Sequence, residues 1–518
     1  MTPDTAVRQQ EYTESDGWGR LNPRLFLVNL SVVATPLATF GATTVITGEV
    51  TLQVLITFAS FLITCLVISG ISLMRLLTTR YRITEDRVEL HKGRFFRSER
   101  SVPVDRIRSV DLTANPLHRI FGLTSLKIST GDQATSGGGL SLDGLSTRDA
   151  EELRRRLSEL RHARQGLETA DPDTDATLAA LDWAWLRYAP LTLWGVGGVF
   201  IAVGTVYRTL HEMKVDPLEL GIVKDIEGRF GSVPLWYGLL LAFAVIVLTG
   251  VAGSTATFIE GWGGYHLDRP ETGMLRVRRG LLITRSVSIE EQRLRGVEVA
   301  EPLLLRWAGG ARLKAVASGL GDEDENSSRS RLTPPVPLGL ARRIAADVLG
   351  EDAAPTTDAE FAPHPRAALR RRINRALIWS VLIAVPFVGL GLWLTPVLVH
   401  TGWITAVVLF SVGLAFAFDA YRNLGHALHG PYLVTRAGTF TRRTAALQRD
   451  GIIGWSITRS VFQRRAGLFT LGAATAAGGG VYKVRDVAVS DGLAFAEDAV
   501  PGLLAPFIER VPAGAGRG

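Results

Sequence analysis

Nine histidines are spread over the 518 residues, and only two lie close together: His426 and His429, just beyond the last long apolar run. On a helix that spacing puts two imidazoles on one face, where they could hold a metal, but no nearby Cys or paired acid completes a ligand set. The acidic stretch GDEDENSS at 321–328 lacks the spacing of a calcium loop and reads as solvated loop. Cys65, the single cysteine, sits inside an apolar run, which excludes an intrachain disulfide. The chain has no phosphate-cradling glycine loop, no Gly-x-Ser-x-Gly elbow and no His-Glu-x-x-His pair. The expectation is therefore a protein that is not an enzyme, with no catalytic residue, metal or cofactor.

The cations say more. Formal net charge is +7. The stretch RAALRRRINR at 366–375 carries five arginines directly before an apolar run. Such a segment gains about 1 kcal/mol per charge from an anionic leaflet. Ordinary positive-inside topology would place it there too, without lipid specificity, and both readings stand. Between 432 and 465, Arg436, Arg442, Arg443, Arg449, Arg459, Arg464 and Arg465 face one acid, Asp450. Arg370, Arg371, Arg372, Arg442, Arg443, Arg464 and Arg465 are thus candidate contacts to anionic lipid or an acidic partner. Nucleic acid is not expected, because no stacking aromatics accompany the charge.

The elements that position these residues start with six apolar runs in three close pairs: Leu25–Thr47 with Gln53–Met74, Tyr188–Tyr207 with Ser232–Phe258, and Ala376–Val399 with Thr401–Phe418. Each has 18 or more residues without Lys, Arg, Asp or Glu, and a bilayer core needs about 20 helical residues. Six transmembrane helices in three hairpins are predicted. The loops inside the first and third pairs hold no Lys or Arg. The middle one, with Arg208 just before it, has Lys214, Lys224 and Arg229. The rest of the 57 basic residues lie on the other side, which puts both termini and the polar regions in the cytoplasm. No charge sits deep in a run, so no ion path is indicated.

The polar regions repeat. With Gly93, Gly280 and Gly438 aligned, three segments match without a gap. Apolar residues recur at nine residues on (Val102, Ile289, Leu447), at fourteen (Ile107, Leu294, Ile452), at seventeen (Val110, Val297, Trp455) and at nineteen (Leu112, Val299, Ile457). An Arg-x-x-Gly-x-x-x-Leu sentence closes each: Arg119, Gly122, Leu126; Arg306, Gly309, Leu313; Arg464, Gly467, Leu471. This is the mark of an arrayed architecture. The glycine suits a tight turn into a strand and the Leu points inward. The Arg either binds a ligand or pairs with a neighbouring group. Short alternating strands and a terminal helix complete each unit, with Leu153, Leu157 and Leu160 along one helical face. The helical counterparts are placed at Leu338–Leu349 and Val500–Ile508.

The Tyr-x-Ile-Thr opening, the Arg-x-x-Gly-x-x-x-Leu core and the membrane hairpin upstream resemble the bacterial pleckstrin-homology-like, or membrane-flanked, domain family. The stretches YRITEDRVELHKGRFFRSERSVPVDRIRSV and NPLHRIFGLTSLKISTG carry the likeness best. The resemblance implies partly open β-barrels, each capped by a C-terminal helix, and no catalytic residue or cofactor. The expected organisation is a tail at 1–24, hairpins at 25–78, 183–260 and 376–421, and PH-like domains at 79–162, 261–350 and 430–512. Linkers fall at 163–182 and 351–375. The third domain has six residues from Tyr432 to Gly438 against twelve from Tyr81 to Gly93, so a shortened first hairpin is expected. The function expected is a multi-pass cell-membrane scaffold with a lipid, peptide or protein partner, in envelope maintenance or defence. The alternative is an export or permeation device built from the six helices.

Overall fold

The computed structural model describes residues 18–31, 40–41, 52–92, 98–114, 116–130, 140–165, 176–191, 204, 208, 235–271, 273–318 and 329–507. Two compact units form, Met1–Leu181 with Ile259–Glu290, and Asp182–Phe258 with Glu291–Gly518.

In the first unit, β1 (Trp18–Arg20) is followed by a short helix, α1 (Leu25–Ser31), and a long one, α2 (Leu52–Thr78). Strands β2 (Arg80–Ile83), β3 (Arg87–Lys92) and β4 (Ser98–Pro103) join β1 in an antiparallel sheet ordered β1-β2-β3-β4. Then come β5 (Ile107–Ala114), α3 (Pro116–Ile120), β6 (Leu123–Thr130), β7 (Leu140–Ser146) and α4 (Thr147–Gln165). Period-two alternation decides which side chains go in: Val88 and Leu90 of β3 are buried, while Glu89 between them is half-buried and Arg87 before them is exposed. They share one core with Val102, Leu126, Ile128, Leu142 and, from α4, Leu157. Two sheets closed by a helix is the arrangement expected of a PH-like barrel. Further strands enlarge the second sheet: β8 (Ala176–Ala180) and, after helix α5 (Leu235–Trp262), β9 (His266–Glu271), β10 (Met274–Arg279) and β11 (Thr284–Glu290). Its order is β7-β6-β5-β11-β10-β9-β8.

The second unit holds β12 (Leu294–Pro302), α6 (Leu303–Trp307), β13 (Gly310–Ala317), β14 (Val336–Pro337), α7 (Leu338–Leu349) and α8 (Pro355–Asp358). Two long helices follow, α9 (Arg366–Trp393) and α10 (Pro396–Arg422). Next come β15 (Gly425–His429), β16 (Tyr432–Ala437), β17 (Thr441–Gln448), β18 (Ile452–Thr458), α11 (Val461–Arg465), β19 (Leu468–Thr475), β20 (Val481–Ala488) and α12 (Val489–Ala499). Two sheets result, ordered β14-β13-β12-β17-β16-β15 and β18-β19-β20.

The sequence-based expectation of six spans in three hairpins is corrected here. Among the described residues four helices are long and apolar enough to cross a membrane: Phe58–Thr78, Phe243–Trp262, Arg366–Trp393 and Pro396–Arg422. Of the run Leu25–Thr47, the structure describes α1 and Phe40–Gly41, and the rest lies outside the described residues. The run from Tyr188 opens in a 3-10 helix, Trp183–Leu191, that contains Pro190. Tyr188 and Ala189 are buried there, and a Cβ on Gly310 would come within 3.0 Å of the Tyr188 ring. Its first residues thus belong to a domain core, not to lipid. Beyond Leu191 only Gly204 of that run is described. One pair of spans, α9 and α10, is seen complete as a hairpin. Its helices approach closely at small residues: a Cβ on Gly391 would meet the Val399 backbone nitrogen at 2.5 Å.

The repeat is structural. Gly122, Gly309 and Gly467 each follow a five-residue helix, α3, α6 or α11, and have φ of 68°, 71° and 67°, a conformation that costs glycine nothing. Leu126, Leu313 and Leu471 are fully buried. A short 3-10 turn recurs at Val104–Arg106, Glu291–Arg293 and Arg449–Gly451. Gly93 lies outside the described residues.

Two details of the third repeat differ from expectation. Its first hairpin is not shortened, because β15 and β16 pair from Gly425↔Arg436 to His429↔Tyr432. Tyr432 opens the second strand rather than the first, and the first begins three residues after α10. Its closing helix is Val489–Ala499, not Val500–Ile508, where Ala505–Phe507 is a short 3-10 turn.

Candidate anionic-ligand site

A charged cleft of about 730 Å³, within the usual range for ligand sites, opens in the second unit. Strands from two sheets line it. Glu298 lies mid-β12 opposite Lys314 of β13, and Arg443 comes from β17. Lys483 and Arg485 come from β20, and Gly478, Gly479 and Tyr482 from the turn and strand at its start. Four cations and one carboxylate thus line it, with Lys314 and Arg443 nearest the carboxylate.

That carboxylate is poorly served. Glu298 is 8% exposed, and its Oε1 accepts no hydrogen bond among the described residues. Lys314 Nζ and Arg443 Nε both stand 3.9 Å from it, too far for a hydrogen bond. Burial, and behind it the cations Arg443, Arg331 and Arg312, hold the Lys314 ammonium below its usual pKa against the opposing pull of Glu298. Burial and Glu298 push the Tyr482 phenol up to about 12, with the Gly479 N–H and Arg443 acting the other way. A ligand anion entering beside Lys314 and Arg443 would relieve the repulsion between them. Gly438, Phe440 and Thr441 of the hairpin tip line this cleft, and Phe440, with Thr439, also lines a second hollow of about 260 Å³. The second hollow is walled by Arg372, Arg375, Trp379 and Phe416 of α9 and α10. Phe440 and Phe416 rings are 5.0 Å apart.

A contrasting site lies nearby in the same unit. Asp486 is 2% exposed and takes φ +57° at a bulge in β20. Arg371 and Arg372 of α9 reach it at 2.5 and 2.8 Å, and Gln463 of α11 donates to it at 2.9 Å. Gln463 is itself locked by a capping box with Ser460.

The arginines singled out from sequence therefore divide. Arg371 and Arg372 are committed to Asp486. Arg442 grips the buried Glu301 through both Nε, at 2.9 Å, and Nη2. Arg436 stacks over Phe361 at 4.1 Å, and Arg449 donates to the last carbonyls of α12, Asp498 and Ala499. Arg443 lines the cleft with 61% of its side chain exposed, and Arg370, Arg464 and Arg465 are exposed. Arg119 donates to the Leu281 carbonyl, and Arg306 pairs with Asp419 at the end of α10 at 2.8 Å.

The histidine pair is corrected. His426 and His429 lie on β15, where residues three apart point to opposite faces. His426 instead meets His364 at 5.0 Å and Phe495 at 4.7 Å between ring centroids. The acidic stretch 321–328 lies outside the described residues. Glu298, Lys314, Lys483 and Arg485 are absent from the sequence-based candidates. The available signal was Glu298 itself, a charge inside the otherwise apolar core of LRGVEVAEP.

Comparison with known proteins agrees with this fold. The bacterial PH domain family matches residues 32–161 and 380–498. The chain is 22% identical over 431 residues to UPF0699 transmembrane protein YdbT of Bacillus subtilis (strain 168), covering 79% of this chain and 83% of that one. No solved structure matches. Two segments, each running from apolar helix into sheet, thus match the bacterial PH domain, and the chain resembles a transmembrane relative over most of its length.

Proposed function

We propose that this is a non-enzymatic scaffold of the bacterial cell membrane, its PH-like units cytoplasmic, that holds an anionic lipid headgroup in the cleft around Lys314. The role is one of envelope maintenance or defence. The observation that carries the reading is the charge of the cleft: four cations and one under-bonded carboxylate in its lining, beside a hairpin tip that also meets α9 and α10. The distribution of basic residues outside the apolar runs supports the cytoplasmic side. Exposed Arg370 lies one turn into α9, where an inner-leaflet phosphate is within reach.

The test uses the full chain in nanodiscs. Phosphatidylglycerol should be retained over phosphatidylcholine, and Lys314→Gln with Lys483→Gln should remove most of the preference while the thermal midpoint holds. Equal retention of both lipids, or an unchanged preference in the double variant, contradicts the reading.

A further inference from the structure

Within each unit a sheet runs on from one repeat into the next. In the first unit β5 pairs antiparallel with β11, and in the second β12 pairs with β17. The register is the same in both. Ala114, 21 residues after Gly93, faces Thr284, four after Gly280; Glu301, 21 after Gly280, faces Arg442, four after Gly438. By this rule the fourth strand of a repeat accepts the third strand of its successor. Among the described residues two strands are left over by this rule. β4, the third strand of the first repeat's barrel, ends its sheet, and β18, the fourth strand of the last repeat, ends another.

We propose that these two edges are partners, β18 of one copy pairing with β4 of a second copy, so that the chain assembles head to tail. The repeated register sets Thr458 opposite Ser98 and Gly454 opposite Val102.

Three features of β18 and its surroundings fit a strand that awaits a neighbour. Ile457 is 52% exposed, whereas its counterpart Val299, covered by β17, is 2% exposed. An exposed apolar edge strand is a template for pairing. Gly454 stands at the repeat position of Gly296. A Cβ on Gly296 would strike the Ala446 carbonyl of the adjoining strand at 1.9 Å, whereas nothing among the described residues lies within 4 Å of a Cβ on Gly454. The space that a neighbouring backbone fills at Gly296 is open at Gly454. The first-repeat residue at this position is Ser109, and that junction has three residue pairs against seven where glycine stands. Lastly, Arg119 and Arg306 each engage the module that follows. Arg119 donates to the carbonyl of Leu281, whose own N–H is bonded to Glu260 of α5, and Arg306 pairs with Asp419 of α10. Arg464, the third of the set, is exposed. One feature differs: Arg459 holds the place of Glu301, and its guanidinium donates to the Leu468 carbonyl at 3.2 Å within its own repeat. Such a contact joins unlike surfaces, so it closes into a ring or continues as a filament.

The test uses full-length chains in native membranes, in a Cys65→Ala background. Ser98→Cys and Thr458→Cys are placed on separately tagged copies and co-expressed under mild oxidation. Disulfide should join the two tags, neither variant should link to itself, and a chain carrying both cysteines should give a ladder of oligomers. Gly454→Val, sterically open in the single chain, should leave the thermal midpoint unchanged and lower cross-linking about tenfold by overpacking the junction. Linkage within either single-cysteine population, a bond confined within the double-cysteine chain, no linkage at all, or full linkage in Gly454→Val would each overturn the proposal.

Discussion

Asp486 and Glu298 are both buried carboxylates facing two cations, yet they are built for different ends. Asp486 has donors at 2.5, 2.8 and 2.9 Å from two helices, and nothing is left for a ligand to satisfy. Glu298 has its cations at 3.9 Å and an oxygen without a hydrogen bond among the described residues. A closed cluster of this kind fixes the start of α9 onto β20. An open one keeps positive charge uncompensated at the wall of a cleft. The distance between a carboxylate and its cations, more than the residue types, separates a clamp from a site.

The sharpest way to break the comparison is to remove the clamp. Asp486→Ala leaves Arg372, 9% exposed, buried beside Arg371 without its counter-charge. Breaking a buried pair from one side costs about 3–5 kcal/mol, and the left-handed backbone at Asp486 adds strain for Ala. The thermal midpoint of the detergent-solubilised chain should drop by many degrees. A drop no larger than that of Arg370→Ala would mean that the cluster is not a clamp.

The next effect is one of pH. His364 packs beside this cluster, and burial, followed by the nearby His426 and Arg372, pushes its pKa down to about 4. The unfolded chain takes up that proton near 6.5, so between about pH 6.5 and 4 the unfolded state binds more protons and stability falls as pH falls. The loss approaches about 3 kcal/mol at the low end. Midpoints measured across this window should decline, and His364→Phe should flatten the decline. An equal slope in the variant would assign the loss elsewhere.

The smallest effect should come at the open carboxylate. Glu298→Gln removes a charge whose partners were never close, so stability should move by about 1 kcal/mol or less. A loss as large as that of Asp486→Ala would erase the difference between the two sites.

Much of the fold was legible because it rests on local pattern. The shared Gly122, Gly309 and Gly467 set one turn three times, and β3 and the face of α4 could be read from alternation and from Leu153, Leu157 and Leu160. The third hairpin was misread because Tyr432 imitates Tyr81, although it opens β16 rather than the hairpin's first strand. The apolar run from Tyr188 was misread because hydropathy does not distinguish lipid from a domain core that Tyr188 and Ala189 help to fill. Of the cleft, only Arg443 was among the candidates read from sequence. Glu298 and Lys314 meet across strands, and Lys483 and Arg485 arrive from a hairpin more than 160 residues away, so no spacing in the sequence reports their convergence. The same blindness hid the destinations of Arg371, Arg372 and Arg442, whose acids lie far along the chain.

The most direct test of the cleft is a titration of short-chain phosphatidylglycerol into the full-length protein in neutral detergent, at two salt concentrations, for wild type, Glu298→Gln and Lys314→Gln. The structure predicts that Glu298→Gln binds several-fold more tightly than wild type and Lys314→Gln several-fold more weakly, with both differences shrinking as salt rises. Identical affinities for all three proteins would contradict the assignment of this cleft as the anion site.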